Sequence, residues 1–167
     1  MIRFERLEEG SPFLPDAGAL YIDSFPENER RPLGAFLREA DSFAILEDGA
    51  FAGLAVLLTY GDITHILYLA VAPDRRGRGI GSGALREIRR RYPGQRIAAD
   101  LEDPGKGAGN AAQRKRRAEF YARCGYRPTR IRYRWRGVDY AIWSDGGDIT
   151  DEELDAFWEH WGPRLGG

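Results

Sequence analysis

Apolar and polar residues alternate over residues 2–7, the period of a half-buried strand at a sheet edge. Residues 16–25 and 32–41 read as two short helices joined by Pro26-Glu27-Asn28-Glu29-Arg30-Arg31. Two apolar runs, 43–46 and 51–60, flank Glu47-Asp48-Gly49 and predict a hairpin, because Asp-Gly readily forms the tight turn. Residues 63–72 are apolar on both faces, which predicts a central strand. A loop at 73–79 leads into a helix over 80–92, stopped by Pro93-Gly94. A strand follows at 96–101, and the glycine-rich stretch 103–110 reads as a mobile loop. The next helix, 111–124, ends at Gly125. Over 130–136 arginine alternates with Ile131, Tyr133 and Trp135, giving a strand with one arginine face, and 138–143 is its partner. The capping box Thr150-x-x-Glu153 opens a last helix over 150–161. The succession predicts one mixed α/β (α+β) domain over residues 1–167. Its mostly antiparallel central sheet has about seven strands and is flanked by four to five helices, with 146–167 as a C-terminal helical extension.

Length agrees with that picture: 167 residues make one domain, large enough to bury roughly 70% of its unfolded surface. A single cysteine, Cys124, excludes an internal disulfide and a cysteine-built zinc site, and no metal is expected. No stretch reaches the roughly 18 unbroken apolar residues of a membrane helix. The charged, alternating start of the chain is unlike a signal peptide. A cytoplasmic protein without a membrane partner is the expectation. Net charge is -1, yet residues 63–136 hold 19 basic and 6 acidic side chains, whereas residues 1–62 hold 5 and 12. Only Lys106 and Lys115 among the basic residues are lysine, and arginine's planar fork suits phosphate. A basic middle within a near-neutral chain points to a local polyanionic ligand.

The segment Leu69-Ala70-Val71-Ala72-Pro73-Asp74-Arg75-Arg76-Gly77-Arg78-Gly79-Ile80-Gly81-Ser82 carries the sharpest chemistry. A buried strand enters a loop of small residues and a helix starts at once. The first turn of a helix presents unpaired N–H groups and the positive end of its dipole, and glycines let a diphosphate approach them. Arg75, Arg76 and Arg78 add charge. No G-x-x-x-x-G-K-[ST] string exists, and Lys106 lacks both the upstream glycine and the hydroxyl of such a loop. Gly79-Ile80-Gly81-Ser82-Gly83-Ala84 fits a dinucleotide fingerprint, with Asp100 and Glu102 downstream. However, residues 73–78 separate it from its strand, and further βαβ units are lacking.

Leu69-Ala70-Val71 followed by Arg76-Gly77-Arg78-Gly79-Ile80-Gly81 resembles the acyl-CoA-binding motif of the GNAT N-acyltransferase superfamily, Q/R-x-x-G-x-G/A. Phe120-Tyr121-Ala122-Arg123-Cys124-Gly125-Tyr126 resembles its closing motif, Tyr-x-x-x-Gly-Phe/Tyr. The order of elements is similar to that fold across nearly the whole chain. Arg114 stands where many members carry asparagine, seven positions before the tyrosine.

The resemblance implies acetyl transfer from acetyl-CoA, as co-substrate, to a primary amine of a small molecule or protein. It assigns cofactor binding to Arg76, Gly77, Arg78, Gly79, Ile80, Gly81, Ser82 and Tyr121, and to the main chain of Leu69 and Val71 in a splayed strand. It assigns proton donation to the leaving thiolate to Tyr121. The base is open among five residues. His65 lies six before Val71, so strand parity places both on one side, and histidine suits neutral pH. Asp100 and Glu102 share a strand face and could act through water. Glu29, with Glu27, lies in the loop that in such folds borders the acceptor. Arg114 to Arg117 oppose the dipole of the helix they open, which suggests a phosphate contact. The acidic first third suggests a cationic acceptor, with the chain a monomer or homodimer. Trp158 and Trp161, on the last helix, either pack in the core or cap the acceptor cleft. Two other classes stay open. One is a CoA-binding protein without catalysis. The other is a nucleic-acid module using the arginine-faced strand, which is not expected because the pleat turns Tyr133 and Trp135 away from the arginines and into the core.

Overall fold

The computed structural model describes residues 1–103 and 109–166, apart from the side chain of Asn28. Residues 104–108, in the stretch expected to form a mobile loop, lie outside the described residues. Seven strands form one sheet: β1 (Ile2–Arg6), β2 (Asp41–Glu47), β3 (Ala50–Tyr60), β4 (Ile63–Val71), β5 (Arg96–Glu102), β6 (Arg127–Trp135) and β7 (Val138–Asp145). Their spatial order is β1-β2-β3-β4-β5-β7-β6. Only β4 and β5 run parallel; every other neighbouring pair is antiparallel. Helices α1 (Leu14–Ser24), α2 (Leu33–Glu39) and α5 (Asp151–Arg164) cover one face, and α3 (Ile80–Arg91) and α4 (Ala111–Arg123) cover the other.

The two faces follow from strand alternation. Leu54, Val56 and Leu58 of β3 pack with Phe36, Phe157 and Trp161, while Ala55 and Leu57 pack with Ile80, Leu85 and Ile88. Fully burying each large aliphatic or aromatic side chain contributes about 1.5–3 kcal/mol. Helix α1 starts two residues before the expected position. Pro15 occupies its first turn, where the missing N–H costs nothing. Strand β6 starts at Arg127 rather than 130. It lies at the sheet edge, which tolerates Pro128. Its register then shifts between Pro128 and Arg132, where the Thr129 hydroxyl donates to the Ile142 carbonyl at 2.8 Å.

The C-terminal helix belongs to the core. Thr150 and Glu153 form the expected capping box, and Phe157, Trp161 and Leu165 are buried. The Trp161 indole donates to the Thr59 carbonyl at 3.2 Å. No described helix is long and apolar enough to cross a membrane.

Two irregularities shape the centre of the sheet. Leu57 pairs with Ile66 and Val56 with Tyr68, so Leu67 is an extra residue in β4. Leu67 and Tyr68 consequently face the same side, and the alternation reverses beyond them. Strands β4 and β5 then pair only from Ile63/Arg96 to Ile66/Ala99 and separate.

Arg96 ties this region to the last helix: its guanidinium pairs with Glu153 and with Asp62, the latter at 2.8 Å. Hydrogen bonds from Arg96, then from Thr150, pull the Glu153 carboxyl down to about 2 from an ordinary 4.5. A depressed carboxylate contributes stability above its unfolded value and loses it as pH falls through the folded one. Glu153→Gln should therefore melt below the wild type at pH 6, by roughly 3–6 °C for a loss of about 1.5 kcal/mol. Thermal melts from pH 6 to pH 2 should show the gap closing below about 4.5.

Candidate functional site

Two cavities flank the separation of β4 from β5. The first lies on the α3/α4 face. Here β4 ends at Val71 and a 3-10 turn, Pro73–Arg75, leads to α3. The N-cap is Gly79 at φ +78°, a left-handed conformation that a side chain would strain. No side chain caps α3; the Ser82 hydroxyl donates to the Gly79 carbonyl instead. The N–H groups of Ile80, Gly81 and Ser82 are thus left without an intrahelical acceptor at the positive end of the dipole. They line a cleft of about 700 Å³ with Val71, Arg76, Gly77 and Phe120. Gly81 packs closely on α4, where a Cβ would stand 3.1 Å from the Phe120 ring and the ring would have to give by a few tenths of an ångström.

The arginines around this cleft divide into two sets. Arg75 and Arg78 both pair with Glu47, at 3.0 and 3.3 Å, and Arg78 does not line the cleft. Arg76 donates to the Val71 carbonyl at 3.2 Å. Arg86, Arg89 and Arg123 also line it, Arg89 being held by Asp145 at 2.8 Å. The helical spacing of Ser82, Arg86 and Arg89 was the available sequence signal for that second set.

At the end of β4 the Ala72 N–H donates to the Ala52 carbonyl of β3. Alternation along the strand therefore turns the N–H groups of Leu69 and Val71 the other way, into the space that β5 has left. The Val71 side chain lines the cleft, whereas that of Leu69 packs partly buried beside it.

The second cavity, about 840 Å³, lies on the α1/α2/α5 face. Asp100, Glu102 and Glu29 line it, with Tyr68, Tyr133, Tyr140 and Trp158. Glu29 accepts from the Tyr140 hydroxyl at 3.1 Å, and its carbonyl accepts from Tyr68 at 2.7 Å. Glu102 pairs with Arg114 at 2.7 Å. Asp100 is 28% exposed and lies 3.1 Å from His65 Nε2. Burial presses the Asp100 carboxyl upward. The facing His65, together with hydrogen bonds from His65 and Tyr133, outweighs it and holds the group below its ordinary value. Glu27 is exposed and is not among the residues lining the cavity.

His65 requires a correction. The extra residue at Leu67 breaks the parity that linked it to Val71. His65 faces α5, 1% exposed, against the rings of Phe157 and Trp158. With Nε2–H donated to Asp100, its Nδ1 is buried without a partner. It does not line the cavity; Asp100 stands between. The arginines opening α4 are also reassigned. Arg114 and Arg117 line this second cavity and not the α3 cleft. Tyr133 and Trp135 are not core residues: Tyr133 stacks on Tyr140 at 5.2 Å and lines the cavity, and Trp135 is 37% exposed at its rim.

Tyr121 lies between the two cavities and lines neither, 2% exposed beside Phe120 and Tyr126. Arg117 sits 5.7 Å from its ring. Burial pushes the phenol above its ordinary value, against the opposing pull of Arg117.

A strand parting from its parallel neighbour beside an uncapped, glycine-led helix defines an acyltransferase fold, and sequence comparison agrees. The acetyltransferase (GNAT) domain family matches residues 39–128, and the chain belongs to that family, whose activity is acetyl transfer. Comparison with curated proteins finds no match. Among solved structures, a GNAT-family protein of Bacteroides thetaiotaomicron superposes with a TM-score of 0.79, at 18% identity over 95% of each chain. A GNAT acetyltransferase of Elizabethkingia anophelis, solved with acetyl-CoA bound, has a TM-score of 0.59 at 17% identity, covering 86% of this chain and 97% of its own. The ribosomal-protein-S18-alanine N-acetyltransferase of Escherichia coli has a TM-score of 0.59 at 22% identity, covering 92% and 99%.

Proposed function

We propose that this chain transfers the acetyl group of acetyl-CoA to an amine nitrogen held between β4 and β5. One observation carries the reading: a cleft suited to a diphosphate and a cavity lined by carboxylates lie on opposite faces of the sheet, where β4 and β5 part.

The residues of the cleft fit such a co-substrate. Three N–H groups at the start of α3 lack acceptors, and Arg86 and Arg123 line the cleft without a carboxylate partner among the described residues. The turned-out N–H groups of Leu69 and Val71 offer strand-like hydrogen bonds to an amide-bearing arm. Acetyl-CoA supplies an acyl carbon activated by a thiolate leaving group.

The chain's own residues supply positioning and proton management. The Val71 N–H polarises a carbonyl oxygen in the gap. On the other face, Asp100 is a carboxylate throughout the neutral range and accepts a proton from an entering ammonium group, directly or through water. His65 is the positioning residue behind it, and Tyr133 steadies the same carboxylate. Tyr121 keeps its proton to high pH and can donate it to a departing thiolate. Glu102 and Glu29, each engaged with a neighbour, shape the cavity and are secondary candidates for the base.

Gly79→Asp should reduce acetyl-CoA affinity at least tenfold by isothermal titration, since it places a carboxylate and a strained φ at the head of α3. Unchanged affinity would remove the diphosphate from that loop. Tyr121→Phe should lower kcat by 10-fold or more with little change in acetyl-CoA affinity. Because burial raises that phenol, wild-type kcat should stay flat on the alkaline side to at least pH 10; an alkaline fall below that would assign the donor elsewhere. Asp100→Asn should cut kcat/KM on the order of 100-fold. The acid limb should track the acceptor's ammonium group, since Asp100 ionises below its ordinary value.

A further inference from the structure

The acceptor cavity holds more positive charge than deprotonating an amine requires. Besides Arg114, which Glu102 neutralises, and Arg136, which lies over Trp135, four further arginines line it: Arg30, Arg31, Arg117 and Arg132. They come from three separate places, the loop before α2, helix α4 and strand β6. None of the four makes an ion pair within 4 Å of a carboxylate among the described residues. Arg30 Nε is buried with no acceptor. Arg132 is held by the carbonyls of Thr129 and Ile131, at 2.6 and 3.0 Å, which fixes its fork without neutralising it. Arg117 lies over the Tyr121 ring and also acts on Asp100.

The carboxylates inside the cavity are already engaged: Asp100 by His65 and Tyr133, Glu29 by Tyr140. Asp151 and Asp155 line it from exposed positions near the start of α5. Of the twelve acidic residues in the first 62, which suggested a cationic acceptor, only Glu29 lines this cavity. A polyamine would set its additional charges against unneutralised guanidinium groups. An anionic group would meet planar donors suited to carboxylate or phosphate.

We infer that the acceptor is a small amine carrying its own anionic group, a carboxylate or a phosphate. The arginines of the loop before α2 and of β6 hold that group, and the amine points to Asp100. Small size follows from the volume: about 840 Å³ is the scale of a small-molecule site, and Trp158, Leu165 and Gly166 of the C-terminal segment contribute to its walls. The inference rests on the N-acetyltransferase reading above.

The test is thiol release from acetyl-CoA across matched acceptors: amino acids, their carboxamides, aminoalkyl phosphates and spermidine. The expected result is a kcat/KM at least tenfold higher for an acid or phosphate than for the matched neutral amine, and the better of the two acids identifies the anion. In the Arg30→Ala/Arg31→Ala double variant, KM for the anionic acceptor should rise tenfold or more, with kcat held within about twofold and the amide unaffected. An Arg31→Lys variant should recover part of the loss, which a folding defect would not. Equal or better use of carboxamides or spermidine overturns the inference while leaving the transferase reading intact. Calorimetric acetyl-CoA binding with no thiol release on any acceptor overturns the transferase reading and this one with it.

Discussion

Strands β4 and β5 share hydrogen bonds for four residue pairs and then part, and the chemistry of the molecule depends on that parting. An unpaired backbone N–H in a protein interior costs about 1–3 kcal/mol when water cannot reach it. The sheet tolerates the opening because each strand keeps its outer neighbour. β4 stays paired with β3 through Val71, and β5 stays paired with β7 through Glu102. Only the inner edges are released, and one released carbonyl, that of Val71, is taken up by Arg76. The opening is thus a local loss within a continuous sheet, held at fixed width by helices on both faces.

The extra residue at Leu67 sets which groups meet there. Without it, His65 would face α3 and α4 with Val71. With it, His65 turns toward α5 and joins Asp100 on that face, while the free amides of β4 border the cleft on the other. A buried histidine beneath an aspartate is a demanding arrangement, since each polar atom there needs a partner. Nε2 finds Asp100, Asp100 also receives Tyr133, and Nδ1 finds nothing. The ordering of these groups runs outward from core to cavity: histidine, carboxylate, then solvent.

Much of this was legible in the sequence. The hydrophobic periods placed all seven strands and five helices, since long periodic runs such as 51–60 and 63–72 leave little choice. The glycine loop was legible as a turn from strand to helix, because Gly79 takes a left-handed backbone there that a pattern of glycines can reveal. The single-residue insertion in β4 could not be seen, because Ile66-Leu67-Tyr68 is apolar at every position and carries no period to break. Tyr133 and Trp135 looked like core for a related reason: an aromatic lining a cavity and one filling a core read alike. Charge misled where it was summed by sequence. The acidic first third spreads mostly over the outer surface, and the cavity takes its arginines from segments far apart in the chain.

The four tryptophans occupy four different surroundings. Trp161 is locked in the core by its bond to Thr59, and Trp143 packs on the α3/α4 face. Trp158 lies edge-on to His65 with one side open to the α1/α2/α5-face cavity, and Trp135 stands at its rim beneath Arg136. Two emitters thus line the cavity and two are shielded from it. The molecule carries its own optical gauge, in which filling of this cavity registers as a change in emission against the two shielded rings, with no label attached.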